Sequence, residues 1–121
     1  MANDDAYSNT LAELDSIANA AMTESEREMR ARPVLTQAGL SISDLRSALA
    51  SAALSWNSGK ASAFGVSPEG WLLALDVSGI GECDSLGTLL AVIHRAESAA
   101  AMLQAGYKPN RDGVGHLSWT R

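Results

Sequence analysis

The chain has 121 residues, of which 46% are hydrophobic and 19% are charged, and its formal net charge is −5. This composition excludes a disordered chain, and this length is typical of a single domain over residues 1–121 that folds without a disulfide or a metal. An acidic chain is repelled by phosphate backbones, so nucleic acid is disfavoured as a partner.

The compartment is indicated by the cysteine content and by the N-terminus. Cys83 is the single cysteine and cannot form an internal disulfide, which favours a reducing environment. The first residues are acidic and lack the basic and apolar regions of a secretory signal. The longest strongly apolar stretch, residues 86–93, is shorter than a membrane span. We therefore expect a cytoplasmic protein without a membrane partner.

Two capping-box patterns lie near the N-terminus, each with a threonine and, three residues later, a glutamate. The first begins at Thr10 and predicts a helix over residues 11–22. The second begins at Thr23 and predicts either a kink in that helix or a separate short helix that ends before Pro33.

Apolar residues of the first predicted helix recur at steps of four and three, at Tyr7, Leu11, Leu14, Ala18 and Ala21. This spacing is typical of a coiled-coil seam. We therefore predict that the stripe forms an interface with another protein or, in a homodimer, with a second copy of the chain. Ile17 widens the stripe, so burial inside the same domain is the alternative.

A serine cap at Ser41 and apolar residues at helical spacing predict the next helix over residues 42–56. The run of residues 57–59 is predicted to end it. Together with a preceding short helix and a glycine, residues 34–56 are loosely typical of a helix-turn-helix motif. The second helix of that motif would offer Arg46 as its only cation, so a DNA-binding regulator is our second hypothesis.

Residues 61–78 are compatible with two structures. Alternating apolar residues on either side of residues 67–70 predict a hairpin with a type I turn. The same residues can also begin a helix, with Ser67 as its cap and Pro68 in its first turn. We favour the hairpin, because Gly70 is a poor residue for an early helical turn.

A wide apolar face predicts the last helix over residues 85–105, capped by Asp84 or Ser85, and a possible edge strand follows over residues 114–119. The expected order is α-α-β-β-α-β. This order predicts a helix-rich α+β fold whose helices pack on a small antiparallel sheet or hairpin, with an all-α fold as the alternative. The expected core contains Leu45, Leu49, Leu86, Leu89, Ile93 and Leu103.

No arrangement of residues is typical of a catalytic, cofactor-binding or metal site. Cys83 precedes a predicted helix, where the helix dipole favours a thiolate, and Asp76 is the one acid within an apolar strand pattern. A nucleophile needs a base, and neither His94 nor His116 lies in a recognisable pattern with these residues. A small enzyme that uses Cys83 or Asp76 is therefore the third hypothesis.

The first hypothesis is a non-enzymatic protein-binding module that acts through a helical surface. Small acidic adaptors, chaperone-like proteins and inhibitor or immunity-type proteins belong to this class. Trp56 and Trp119 extend the predicted interface, because tryptophan is enriched at binding hot spots and both positions are hard to bury. The predicted partner interface comprises Tyr7, Leu11, Leu14, Ala18, Trp56 and Trp119.

Overall fold

The computed structural model describes residues 4–111 and 116–121. The described residues form six α-helices, a short 3₁₀ helix and two antiparallel strands. Their bounds are α1 Asp4–Ala18, α2 Glu24–Ala38, α3 Ile42–Leu49, α4 Ser55–Phe64, α5 Pro68–Val77, the 3₁₀ helix Ile80–Glu82, α6 Leu86–Gln104, β1 Lys108–Arg111 and β2 Leu117–Thr120. In the sheet, Lys108 pairs with Thr120 and Arg111 with Leu117. The predicted class, a helix-rich α+β fold with a small antiparallel sheet, is confirmed.

The core is arranged around α6, which contacts α1, α2, α4 and α5. Its apolar face includes several alanines, and small side chains let neighbouring helices approach closely. Four of the predicted core residues are buried, and the other two, Leu86 and Leu103, are partly buried against the same core. By length and composition, α6 is also the one helix of the described residues that could span a membrane. In the fold it is the central helix of the domain.

The predicted start of the first helix is wrong, whereas the second cap is confirmed. α1 begins at Asp4, and Thr10 lies buried within it. Thr23 caps α2, because its hydroxyl accepts a hydrogen bond from the Glu26 amide at 3.2 Å. α2 then continues through Pro33 instead of ending before it.

The single helix predicted over residues 42–56 is also wrong, because α3 ends at Leu49 and α4 begins at Ser55. Ser41 does cap α3, in a reciprocal capping box with Asp44. Asn57, predicted to end a helix, lies fully buried inside α4. Its side-chain amide donates to the carbonyls of Leu49 and Ser51, at 3.2 and 2.8 Å. The end of α3 is therefore capped by a residue of the next helix.

The hairpin predicted over residues 61–78 is wrong, and the alternative helix is correct. Gly65 ends α4 in a left-handed conformation with φ of 69°. Ser67 then caps α5 by accepting a hydrogen bond from the Gly70 amide. A Cβ at Gly70 would lie 3.2 Å from the Val66 Cβ, so glycine allows the chain to pack closely at this helix start.

The C-terminal predictions are largely confirmed. Ser85 caps α6, because its hydroxyl accepts a hydrogen bond from the Thr88 amide at 3.2 Å. The predicted final strand is present as β2. It pairs with β1, so the small antiparallel sheet lies near the C-terminus of the chain and not at residues 61–78. The first two residues of the strand predicted over residues 114–119 lie in the range 112–115, outside the described residues.

Asn57→Ala should lower the free energy of unfolding by about 2–4 kcal/mol, because it leaves buried polar groups without partners. One is the Trp71 indole N–H, which donates to Asn57 Oδ1 at 3.0 Å, and another is the Leu49 carbonyl. Urea unfolding measures the loss, with Ser58→Ala at the exposed neighbouring position as the control.

A double-mutant cycle with Trp71→Phe isolates the side-chain pair. The double variant should lose less stability than the sum of the single variants, because each removes the same hydrogen bond. Additive losses, or an equal loss in Ser58→Ala, would contradict this role of Asn57.

Candidate functional site

A partly buried ammonium group joins three helices at the centre of the domain. Lys60 Nζ of α4 lies 2.7 Å from Asp15 Oδ2 of α1 and 3.0 Å from Glu97 Oε2 of α6. The three side chains are 14%, 18% and 22% exposed, respectively. Water therefore screens these ion pairs less than it screens surface pairs.

Three aromatic rings surround the same ammonium group. Lys60 Nζ lies 5.7 Å from the ring centroid of Trp56, 5.1 Å from that of Phe64 and 5.6 Å from that of Trp71. A cation near ring faces is attracted by the quadrupoles of the rings, and more strongly when water is excluded. The chain thus encloses its own lysine in a cage of aromatic rings and carboxylates.

The carboxyl groups of Asp15 and Glu97 interact with each other as well as with Lys60. Burial and the hydrogen bond with Glu97 raise the pKa of Asp15 to about 6, although Lys60 opposes the shift. Burial acts to raise the pKa of Glu97 too, but hydrogen bonds with Asp15, Lys60 and Asn19 outweigh it and hold that pKa below its usual value. The pair therefore shares a proton that resides mainly on Asp15 in mildly acidic solution.

A polar side chain extends this cluster to the surface. Asn19 Nδ2 donates to Glu97 Oε2 and to Asp15 Oδ1, each at 2.8 Å. Asn19 Oδ1 lies 2.7 Å from His94 Nδ1. His94 is exposed and lines a cleft between α2 and α6, so the buried charges and the cleft are joined by hydrogen bonds.

The cleft between α2 and α6 has a volume of about 570 Å³ and charged walls. Its ionisable residues are Glu24, Arg27, Glu28, His94 and Arg95. The hydroxyl residues Ser85 and Thr88 line the end of the cleft nearest the start of α6, and Ala18 and Leu90 contribute buried apolar surface. Clefts of this size hold small ligands in many proteins. This feature is called the α2–α6 cleft below.

The opposite side of α2 carries a shallower depression of about 470 Å³. This surface, the α2 face, is lined by Met29, Arg32, Pro33, Thr36 and Gln37. Met29 is 73% exposed, far more than Leu73 at 39%, the other large apolar residue that the described part of the chain exposes. Methionine fills irregular apolar gaps and is common on adaptable binding surfaces.

The six residues of the predicted partner interface do not form an exposed surface. Leu11 and Leu14 are fully buried, and Ala18 and Trp56 are nearly so. Tyr7 and Trp119 are half-buried against the same core. The expectation of a shared coiled-coil seam is corrected accordingly: the stripe packs inside its own domain, which is the alternative that Ile17 left open.

The residues of the other two hypotheses are placed unfavourably for those functions. Cys83 is fully buried, and burial raises the pKa of its thiol, which disfavours a thiolate nucleophile. Asp76 lies exposed on α5 and not in a cleft. Arg46 Nη1 donates to the Cys83 carbonyl at 2.6 Å, so the one cation of α3 is engaged within the fold. Over the described ranges, no group of His, Cys, Asp and Glu side chains is placed to hold a metal ion.

Sequence reasoning missed both the Lys60 cluster and the α2 face. Lys60 lies 45 residues from Asp15 and 37 from Glu97, so no local pattern links them. One signal was present: Lys60 is the only lysine or arginine between Arg46 and Arg95. The exposure of Met29 had no such signal, because the charged residues around it suggest a solvated helix.

Comparisons of the chain with known protein families, with curated proteins and with solved structures find no match.

Asp15→Asn should change how stability depends on pH, because the asparagine amide can replace the protonated carboxyl. The folded-state pKa of Asp15 is about 6, above its usual 3.8, so its contribution to stability is full at low pH and is lost as pH rises through that window. The variant should therefore gain stability relative to the wild type between pH 3.8 and about 6.

Urea unfolding at several pH values measures this difference, and Asp76→Asn, at an exposed position, controls for the loss of one negative charge. The pKa of Glu97 is lowered, so its effect on stability has the opposite pH dependence. Glu97 stabilises the fold above its usual pKa of 4.5, and this stabilisation is lost as pH falls below that value. A wild-type-minus-variant difference that is constant with pH, or that changes in the other direction, would contradict the shared proton.

Proposed function

We propose that the chain is a non-enzymatic protein-binding module that docks a partner on the α2 face. The observation that carries this proposal is the exposed Met29 side chain beside a depression with a polar rim. Small adaptors, chaperone-like proteins and inhibitor or immunity-type proteins act in this way. The proposal keeps the class expected from the sequence and assigns it to a different surface.

α2 contributes few residues to the core, with Val34 and Leu35 partly buried against it. Of its residues, all of which are described, Ala31 alone is fully buried. Covering the Met29 side chain with a partner would remove most of its apolar surface from water, which stabilises a complex by about 1.5–3 kcal/mol.

Pro33 adds a polar feature to the α2 face. Proline has no amide N–H, so it cannot donate the usual helical hydrogen bond to the carbonyl of Met29. The Met29 carbonyl therefore lacks the amide that normally bonds to it in a helix. The nearby Thr36 hydroxyl does not replace this amide, because it donates to the Arg32 carbonyl at 3.1 Å within the helix. The face therefore combines an apolar side chain with a backbone acceptor.

The charge on α2 indicates the chemistry of the partner. Its three glutamates all precede Met29, whereas Arg30 and Arg32 follow it with no further acid in the helix. The α2 face is thus a basic region of an acidic chain. A fitting partner presents an apolar side chain to the depression and a carboxylate to the Arg32 guanidinium, which binds carboxylates through paired N–H donors.

The test is photocrosslinking from position 29 in lysate of the source cell. A benzophenone amino acid at position 29 should capture a defined protein, because that side chain would lie inside the interface. The same probe at Ser62, which is exposed on α4, is the matched control. Crosslinked products are identified by mass spectrometry.

Arg32→Glu should reduce the crosslinking yield by about tenfold, because a charge reversal replaces an attraction with a repulsion. The variant should unfold like the wild type, since residue 32 is exposed. A crosslink to α5 of a second copy, where Leu73 lies between Glu69 and Asp76, would identify the partner as the chain itself. No product at position 29, or equal products at positions 29 and 62, would refute the proposal.

A further inference from the structure

Arg27 of α2 and Arg95 of α6 line the α2–α6 cleft. Each guanidinium group makes a hydrogen bond within the fold through only part of its N–H donors. Arg27 Nη2 donates to the Ala20 carbonyl at 3.0 Å, and Arg95 Nε donates to the Ala91 carbonyl at 3.3 Å. Within residues 4–111 and 116–121, neither guanidinium lies within 4.0 Å of a carboxylate. A guanidinium has five N–H donors, so each group has donors that these hydrogen bonds do not use.

The guanidinium group of Arg27 includes a donor that lacks a hydrogen-bond partner among the described residues. This donor is the Nε atom, which is buried. A buried donor without a partner destabilises a structure. The Arg27 side chain lines the cleft, and a carboxylate matches the planar array of donors of a guanidinium.

The cleft also contains two negative groups. Glu24 and Glu28 line it from α2, one turn apart on the same side as Arg27. A Cβ at Gly87 would overlap Glu28 Oε1, so that carboxylate lies directly against the first turn of α6. A polyanion would be repelled by these glutamates, and a polycation would be repelled by the arginines. The lining is matched by a ligand that carries one charge of each sign.

We propose that the α2–α6 cleft binds a zwitterion, a molecule with a carboxylate and an ammonium group, as found in a free amino acid or a short peptide. The carboxylate pairs with Arg27 and Arg95, and the ammonium pairs with Glu24 and Glu28. The apolar surface of Ala18 and Leu90 favours an apolar side chain on the ligand. This site is separate from the α2 face and does not depend on the function assigned to that face.

The test uses four probes and nitrogen-15 NMR of the whole chain. L-leucine carries both charges, N-acetyl-leucine carries only the carboxylate, leucinamide carries only the ammonium, and leucyl-leucine represents a peptide. Leucine or leucyl-leucine should shift the amide signals of α2 and of the first half of α6. Each singly charged analogue should bind at least about tenfold more weakly, because one set of charged groups loses its partner.

Two arginines of the same helix provide matched variants. Arg27→Gln should weaken binding by about tenfold or more, because it removes the guanidinium and retains a polar side chain. Arg30→Gln should leave binding unchanged, because Arg30 is exposed and lies outside the cleft lining. Circular dichroism confirms that both variants fold.

The relative affinities of leucine and leucyl-leucine distinguish an amino-acid ligand from a peptide ligand. The proposal is overturned if none of the probes shifts the α2 and α6 signals at about 10 mM, a concentration well above a millimolar dissociation constant. It is also overturned if a singly charged analogue binds as tightly as leucine and leucyl-leucine, or if Arg27→Gln and Arg30→Gln behave alike.

Discussion

The ammonium group of Lys60 is the charge around which the helices of this domain are arranged. It pairs with a carboxylate of α1 and a carboxylate of α6, and it lies among aromatic rings of α4 and α5. Removing a charge from water is costly unless other charges and dipoles replace the water. Two carboxylates and three rings supply that replacement here, so four helices must come together for the lysine to be accommodated.

This arrangement explains why α2 has one surface in the α2–α6 cleft and another on the α2 face. The Lys60 cluster and most of the buried apolar residues belong to the other helices, so the outer side of α2 is left in contact with water. Its inner side meets α6 across a cleft that is not filled by side chains. The network from Glu97 through Asn19 to His94 connects that cleft to the buried charges. A ligand that contacts His94 would therefore be linked by hydrogen bonds to the carboxyl pair.

Local patterns predicted the elements that depend on local interactions. The caps at Thr23, Ser41 and Ser85 were correct because each needs only a hydroxyl and an amide three residues away. The last helix was correct because its apolar face is long and regular. The class of fold was also correct, since it requires only the presence of helices and a small sheet.

Interactions between distant residues account for the failures. The break between α3 and α4 depends on Asn57, whose side chain reaches back to the Leu49 carbonyl, and no local rule assigns that role to an asparagine. The hairpin prediction failed at Gly70, which fits a helix start because Val66 packs against it. The Leu11 and Leu14 stripe was recognised as apolar, but its spacing does not determine whether it faces a partner or its own core. The Lys60 cluster joins residues that are far apart in the chain, so only the fold brings it together.

If the core is organised around Lys60, removing its charge must destabilise the fold more than removing the charge of a surface lysine. The chain contains two lysines, Lys60 in the cluster and Lys108, which is exposed on β1. Lys60→Met keeps an unbranched side chain of similar length but leaves Asp15 and Glu97 without their cation. Lys108→Met removes the same charge at the surface. The free energy of unfolding in urea at neutral pH should fall by about 2–4 kcal/mol for Lys60→Met and change by less than about 0.5 kcal/mol for Lys108→Met. Equal and small changes in the two variants would contradict this organisation of the core.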